Sequence, residues 1–289
     1  MIDQLIQDKI KHITDEGDKS HVTVPKQLEI LHQLAKSGLG RSLLQHRGLT
    51  GYWTDYILTH PWRKAERVCV NEIEHFLLEV SPIFLATQER FNIFLNENQK
   101  SIKEGARLAS VGCGLMGELL YLDFSGVNDI QLRGLDTDEE SLEKAQQLAH
   151  QKNLSHFSTF HLRDAWLLNE SNQFDLISSN GVNFYEPDNA KVVALYKQFF
   201  DALLPGGKLV TSFVTPPPSL SDDSEWEMDQ VNASDLLLQR IILSDILEVK
   251  WQCFRSSKET KDQLESVGFR EINFIFDRAR LFPTVVAVK

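Results

Sequence analysis

Gly112, Gly114 and Gly117 stand at the spacing G-x-G-x-x-G in the stretch SVGCGLMGELL, residues 110–120. Glycines at the point where a strand turns into a helix leave bare backbone for a ligand to approach, and the helix start offers free N–H groups. Cys113 lies between the first two glycines. Its small size suits a side chain that must tuck beneath the turn better than it suits a nucleophile. Asp136 follows 24 residues after Gly112 and ends the next apolar run, where a carboxylate can accept hydrogen bonds from both hydroxyls of a ribose. A glycine pattern alone is weak evidence. Strand, loop, helix, strand and terminal acid in that order predict a nucleotide-like ligand.

The elements that hold these residues have the rhythm of a parallel sheet. Apolar runs at 107–111, 130–135, 156–162, 174–178 and 208–214 alternate with amphipathic helical stretches. Thr137 with Glu140 and Ser256 with Glu259 fit capping boxes, and Asp188 is placed to cap the helix bearing Val192, Leu195, Tyr196, Phe199 and Leu203. The last two runs, FREINFIFD and FPTVVAVK, have no helix between them and must pair as antiparallel neighbours at one edge. Residues 1–104 contain no convincing strand. They read as helices: one over PKQLEILHQLAKSG, a short one stopped by Pro61, and two longer ones at about 63–80 and 82–102.

Up to Asp136, a dinucleotide-binding oxidoreductase and a methyltransferase read almost alike. Beyond it, roughly residues 105–289 resemble the class I S-adenosylmethionine-dependent methyltransferases. ASVGCG looks like the family's first motif and GLDTDEESLEKAQQLA like its second; LRDA follows the third strand; FDLISSNGVNFYEP resembles the fourth motif; LLPGGKLV resembles the turn into the fifth strand; and GFREINFIF with PTVVAVK matches the reversed last strand. The resemblance implies an α/β fold, a Rossmann-like doubly wound seven-stranded sheet with an antiparallel last strand, preceded by an N-terminal helical region. It implies S-adenosyl-L-methionine as cofactor, held by Gly112, Cys113, Gly114, Asp136, Thr137, Asp164, Ala165, Asn180 and Gly181, with Asp136 on the ribose and Asp164 on the adenine amino group. Two positions depart from the family pattern: Ser110 stands where an acidic residue is usual, and Met116 where the third glycine commonly lies. The rival readings are an NAD(P)-dependent oxidoreductase, whose catalytic domain would have to come from the strandless N-terminal half, and a cofactor-binding protein without catalysis.

Methyl transfer from a positive sulfur needs collinear positioning more than a general base, so the acceptor's surroundings matter most. QHRGLTGYWTDYILTHPW is dense in aromatics, and Arg47, Tyr52, Trp53, Tyr56 and His60 either wall an apolar acceptor pocket or glue the helical region to the sheet domain. Tyr185 follows the fourth strand, near Asn180, Gly181 and Asn183. If a base is used, Tyr185 or His60 is the candidate. The expected organisation is a cap or substrate region at 1–104 and a methyltransferase domain at 105–289 with a lid insertion at about 216–255. That insertion holds an acidic run, Asp222 to Asp229.

Bulk properties narrow the partners. A net charge of −11 argues against nucleic acid, and no apolar run reaches the ~18 residues of a membrane span. The start, MIDQLIQDKIKH, mixes charge with apolar residues, and three cysteines at wide spacing suit a reducing compartment, so a cytoplasmic location is expected. Nine histidines show no H-E-x-x-H or comparable pair, and no metal site is expected. The implied partner is a small-molecule acceptor; the oligomeric state is left open.

Overall fold

The computed structural model describes residues 2–250 and 253–289. The chain divides into two units, residues 1–88 with 227–251, and residues 89–226 with 252–289. Of the segment expected as a lid, 216–255, residues 251 and 252 lie outside the described residues.

The first unit is helical: α1 (Ile2–Glu16), α2 (Val24–Leu34), α3 (Gly38–His46), α4 (Gly51–Thr59), α5 (Glu72–Glu79) and the start of α6 (Pro82–Gln99). Amphipathic spacing gives α2, α3 and α5 an apolar stripe each, and Ile30, Leu31 and Leu34 of α2 are buried, as are Leu39 and Leu43 of α3 and Leu77 of α5. Polar contacts bind the later segment to this unit. Gln239 Oε1 accepts from Ser81 Oγ at 2.9 Å and from the Ile83 amide at 2.7 Å, and Asp245 Oδ2 lies 2.8 Å from His21 Nε2.

In the second unit the apolar runs form seven strands: β1 (Ala106–Val111), β2 (Ile130–Asp136), β3 (Ser158–Leu162), β4 (Phe174–Ser179), β5 (Leu203–Ser212), β6 (Arg270–Ile275) and β7 (Thr284–Val288). Their order is β3-β2-β1-β4-β5-β7-β6. β1 to β5 are parallel, and β7 is antiparallel to both β5 and β6. The connecting helices are α7 (Gly117–Leu120), α8 (Glu139–Gln151) and α9 (Asn189–Ala202); α10 (Ala233–Arg240) belongs to the first unit, and α11 (Ser257–Val267) to the second. Leu108, Leu176, Val210 and Val286 share an apolar cluster with Leu119 of α7 and Leu142, Ala145 and Leu148 of α8. Their neighbours Ala109, Ile177, Leu209 and Val285 alternate to the other face and are buried as well, as a sheet covered on both sides requires. The strand order reverses between β1 and β4. Connections leaving these two strands go opposite ways, which opens a crevice at their carboxyl ends.

The expected sheet, its parallel body and its reversed end are all present. Asp188 caps α9 by accepting from the Ala190 amide at 2.8 Å, and Ser256 and Glu259 form the reciprocal capping box of α11. Local boundaries differ in places; β3, for one, starts at Ser158 rather than 156. Thr137 does not cap α8, because Asp138 is the residue before the first helical turn and its Oδ2 accepts from Ser141 Oγ at 2.5 Å. Residues 63–71 are not helical; Asn71 accepts from the Ile73 and Glu74 amides and starts α5 there. The fifth strand begins at Leu203, ahead of the Pro-Gly-Gly turn, rather than at 208.

Ser256→Ala removes the acceptor for the Glu259 amide, so it should lower the stability of the unit by about 1 kcal/mol. Urea unfolding should show this as an earlier midpoint with unchanged slope.

Candidate functional site

The glycine loop is tied to the end of β2. Leu135 O accepts from the Gly112 amide at 2.8 Å and the Cys113 amide at 3.1 Å, and the Asp136 carboxylate accepts from the Gly114 amide at 2.7 Å. Gly112 has φ +65°, and a Cβ there would lie 2.2 Å from Val182 Cγ2, so one reason for glycine is the close packing of the turn that follows β4. Met116 takes φ +59° at the start of α7, a left-handed conformation that glycine adopts at lower cost. The Cys113 side chain is buried beneath the loop, as its size suggests. Burial pushes its thiol well above the usual range, with the charges of Asp136 and Glu118 adding to the effect. A thiol held neutral is no nucleophile. Gly134 on β2 makes the space: a Cβ there would meet Phe160 Cδ1 at 2.8 Å, Met116 Sδ at 3.0 Å and Cys113 Sγ at 3.2 Å.

Around this loop stand the other residues expected at the crevice. Asp136 Oδ1 also accepts from the Asp138 amide at 3.0 Å, which leaves lone pairs on both oxygens for a diol. Thr137 is exposed beside it. Asp164 is exposed after β3 and accepts from the Trp166 amide at 2.9 Å, while Ala165 is buried. The Arg163 amide donates to Asp136 O at 2.8 Å and brings the two strand ends together. Asn180 follows β4, and its Oδ1 is buried with no hydrogen-bond partner. Gly181 has φ +112° and opens the turn Val182–Tyr185, whose Tyr185 is 47% exposed. Two buried groups fix that turn. Asn183 Nδ2 donates to Tyr196 Oη at 3.2 Å, in a site where burial pushes the Tyr196 phenol to about 12, and Arg255 Nη1 donates to Asn183 O at 3.1 Å. Arg90 stacks over Phe184 and Phe282, with ring centroids 5.1 and 4.4 Å from its guanidinium carbon; burial lowers it to about 9, still charged at neutral pH.

A buried polar cluster escaped the sequence reading. Ser110 of β1 pairs in register with Ser178 of β4, and both are fully buried. The Glu118 carboxylate, from α7, is hydrogen-bonded to Ser110 Oγ, while Asn98 Nδ2 donates to Ser178 Oγ at 3.0 Å and to Glu118 O at 3.1 Å. Asn98 Oδ1 is buried without a partner, and Asn180 stands two residues after Ser178, just past the end of β4. A carboxylate therefore does stand beside β1 at the position of Ser110, delivered eight residues later by a helix. The signal was Glu118 itself, an acid one residue after the last glycine. The cluster is rich in acceptors and suits a ligand group rich in N–H donors.

The acceptor-side candidates of the helical unit fall into separate groups. Tyr52, Trp53 and Tyr56 form one aromatic cluster, with centroids 5.1 to 6.5 Å apart, and Arg67 lies over Tyr56 at 4.2 Å. Arg47 caps α3 and donates from Nε to Glu248 O at 2.9 Å. His60 is buried, its Nε2 3.2 Å from Glu79 Oε1.

Residues 102–266 match a family model described as a methyltransferase domain. The chain is 42% identical to a protein of Bordetella parapertussis described as a possible exported protein, with a TM-score of 0.94, over 100% of this chain and 95% of that one. It resembles the S-adenosylmethionine-dependent methyltransferase SibL in fold, at 12% identity and a TM-score of 0.52, over 90% of this chain and 77% of that one. Over 111 residues it is 30% identical to the sterol 24-C-methyltransferase erg6 of Aspergillus fumigatus, a match that covers 38% of this chain and only 28% of the fungal enzyme. The family model spans more than half of the chain, which belongs to the class I S-adenosylmethionine-dependent methyltransferases. The oxidoreductase reading falls with that assignment. Among the described residues no helix is long and apolar enough to cross a membrane.

Burial should keep Cys113 unmodified by iodoacetamide at pH 8 in the native protein, while half-buried Cys69 and Cys253 react. In urea all three should be alkylated, as peptide mass spectrometry would record; rapid native labelling of Cys113 would contradict its placement under the loop.

Proposed function

We propose that this methyltransferase acts on a small-molecule acceptor, with S-adenosyl-L-methionine lying across the crevice at the carboxyl ends of β1, β2 and β4. The observation that carries the reading is the Asp136 carboxylate, which bonds the glycine loop at Gly114 and keeps lone pairs for a ribose. The residues present fit the cofactor part by part. Asp136 accepts from the ribose hydroxyls, Asp164 and Ala165 flank the adenine, and Gly112 to Gly114 lie under the amino-acid tail. Glu118 accepts from the ammonium group, with Asn180 Oδ1 as a second acceptor, and so supplies the acid that Ser110 does not.

Bound there, the cofactor supplies a methyl group already activated by its positive sulfur. The protein's contribution is to exclude water and fix direction, and such positioning can supply ~7–11 kcal/mol, against ~10²–10⁴ in rate from a general base. Tyr185, exposed beyond β4, is positioned to orient an acceptor or take its proton. A cytoplasmic location is part of this reading, supported by three free thiols, since an oxidising compartment favours paired cysteines.

Two measurements test these assignments. Calorimetry with S-adenosylhomocysteine and with 5′-methylthioadenosine, which lacks the amino-acid end, separates the two parts of the site. Asp136→Ala should weaken both ligands more than about tenfold without unfolding the protein, and Glu118→Gln should weaken only the first, by about tenfold, the loss of roughly one charge-assisted hydrogen bond. Equal effects of Glu118→Gln on both ligands would remove its role, and wild-type protein that binds neither would remove the reading. With methyl-labelled cofactor and a cell extract separated by size, label should appear in the low-molecular-weight fraction; label in protein or RNA would overturn the acceptor class.

A further inference from the structure

Three ligating side chains meet in the helical unit, at residues whose spacing carries no metal motif. His60 lies in the turn after α4, Cys69 in the segment before α5, and Glu79 at the end of α5. A ring nitrogen, the Sγ and a carboxylate oxygen from these three lie within 4.8 Å of one another. His60 is buried and its Nδ1 has no hydrogen-bond partner; Cys69 and Glu79 are half-buried, so the cluster has a route to solvent. Tetrahedral zinc, with bonds of about 2.0–2.3 Å, sets its ligand atoms about 3.3–3.8 Å apart. Closing from 4.8 Å requires a shift of about 1–1.5 Å, within reach of side-chain motion in a segment without regular structure.

Donor chemistry selects the ion. Imidazole, thiolate and carboxylate together suit zinc and its borderline neighbours, whereas calcium and magnesium take oxygen ligands. Thiolate and carboxylate balance the two positive charges. Lys64 Nζ holds Glu79 Oε2 at 2.7 Å, which orients the carboxylate while Oε1 faces His60; its own side chain is 54% exposed and free to swing toward solvent. The segment 63–71 has a use for such a tie, because Val68 and Val70 on it are exposed at 86% and 63% and apolar burial does not hold them.

We propose that His60, Cys69 and Glu79 bind one divalent zinc-type ion, which fastens the 63–71 segment to the turn after α4 and to the end of α5. Three protein ligands leave a fourth position for water or another donor. Binding displaces the Cys69 proton to solvent, and no electron changes hands.

Full-length protein stripped by a chelator and titrated with Co²⁺ tests this. One equivalent should bind, with the visible bands of four-coordinate cobalt and a thiolate-to-cobalt charge-transfer band in the near ultraviolet, both bleached by Zn²⁺. Cys69→Ser should abolish the charge-transfer band, Glu79→Gln should weaken Zn²⁺ affinity at least about tenfold, and Cys253→Ser should change neither. Circular dichroism identifies any variant that fails to fold, and then Zn²⁺ protection of wild-type Cys69 from alkylation gives the same answer without substitution. Absence of the band at one equivalent, its survival in Cys69→Ser, or Cys69 alkylation unchanged by Zn²⁺ would each mean an ion-pair cluster only and overturn the proposal.

Discussion

The carboxylate of Asp136 is where the second unit's architecture converges. It ends β2, accepts from the Gly114 amide at 2.7 Å and from the Asp138 amide at 3.0 Å, and so fixes both the loop after β1 and the entry to α8. The carbonyl of Leu135, one residue earlier, receives the amides of Gly112 and Cys113. A loop this short could not hold its shape if the strand beneath carried side chains of ordinary size. Gly134 removes that obstacle, and Cys113 and Met116 fill the space below. The crevice is thus built from sheet topology first, then from one bare position on β2, and only then from the glycines that the ligand faces.

Two buried acceptors that no protein donor reaches, Asn98 Oδ1 and Asn180 Oδ1, lie near this crevice. An unsatisfied buried acceptor costs about 1–3 kcal/mol, so both favour a donor-bearing group beside the strand pair that also positions the Glu118 carboxylate. A protein that folds around such a deficit recovers it when a donor-rich group arrives. This gives Ser110 a meaning that its identity alone does not suggest. The hydroxyl orients a carboxylate brought in from the next helix, in place of an acid on the strand.

Much of the second unit was legible because its signals are local and redundant. Alternating runs, the capping acid of α9, the capping box of α11 and the helix-free link between β6 and β7 each dictate a backbone geometry on their own. Thr137 misled because a cap depends on where the strand lets go, and β2 stays paired through Asp136 with Leu162, so the helix starts one residue later, after Asp138. Glu118 was hidden for another reason. Its role comes from a contact with a residue on the preceding strand, and spacing reports which face a residue occupies but not which neighbour it meets. His60, Cys69 and Glu79 lie further still from pattern, brought together by a turn, an irregular segment and a helix whose packing no periodicity encodes. The helix expected at about 63–80 begins only at Glu72, where Asn71 caps it.

A crystal structure with S-adenosylhomocysteine bound is the most direct measurement. The account predicts both ribose hydroxyls within hydrogen-bond reach of Asp136, about 2.7 Å, and the ligand's ammonium group against the Glu118 carboxylate and Asn180 Oδ1. Adenosine held elsewhere, or a crevice closed by the Val182 contact on Gly112 with Asp136 bonded to protein alone, would contradict it.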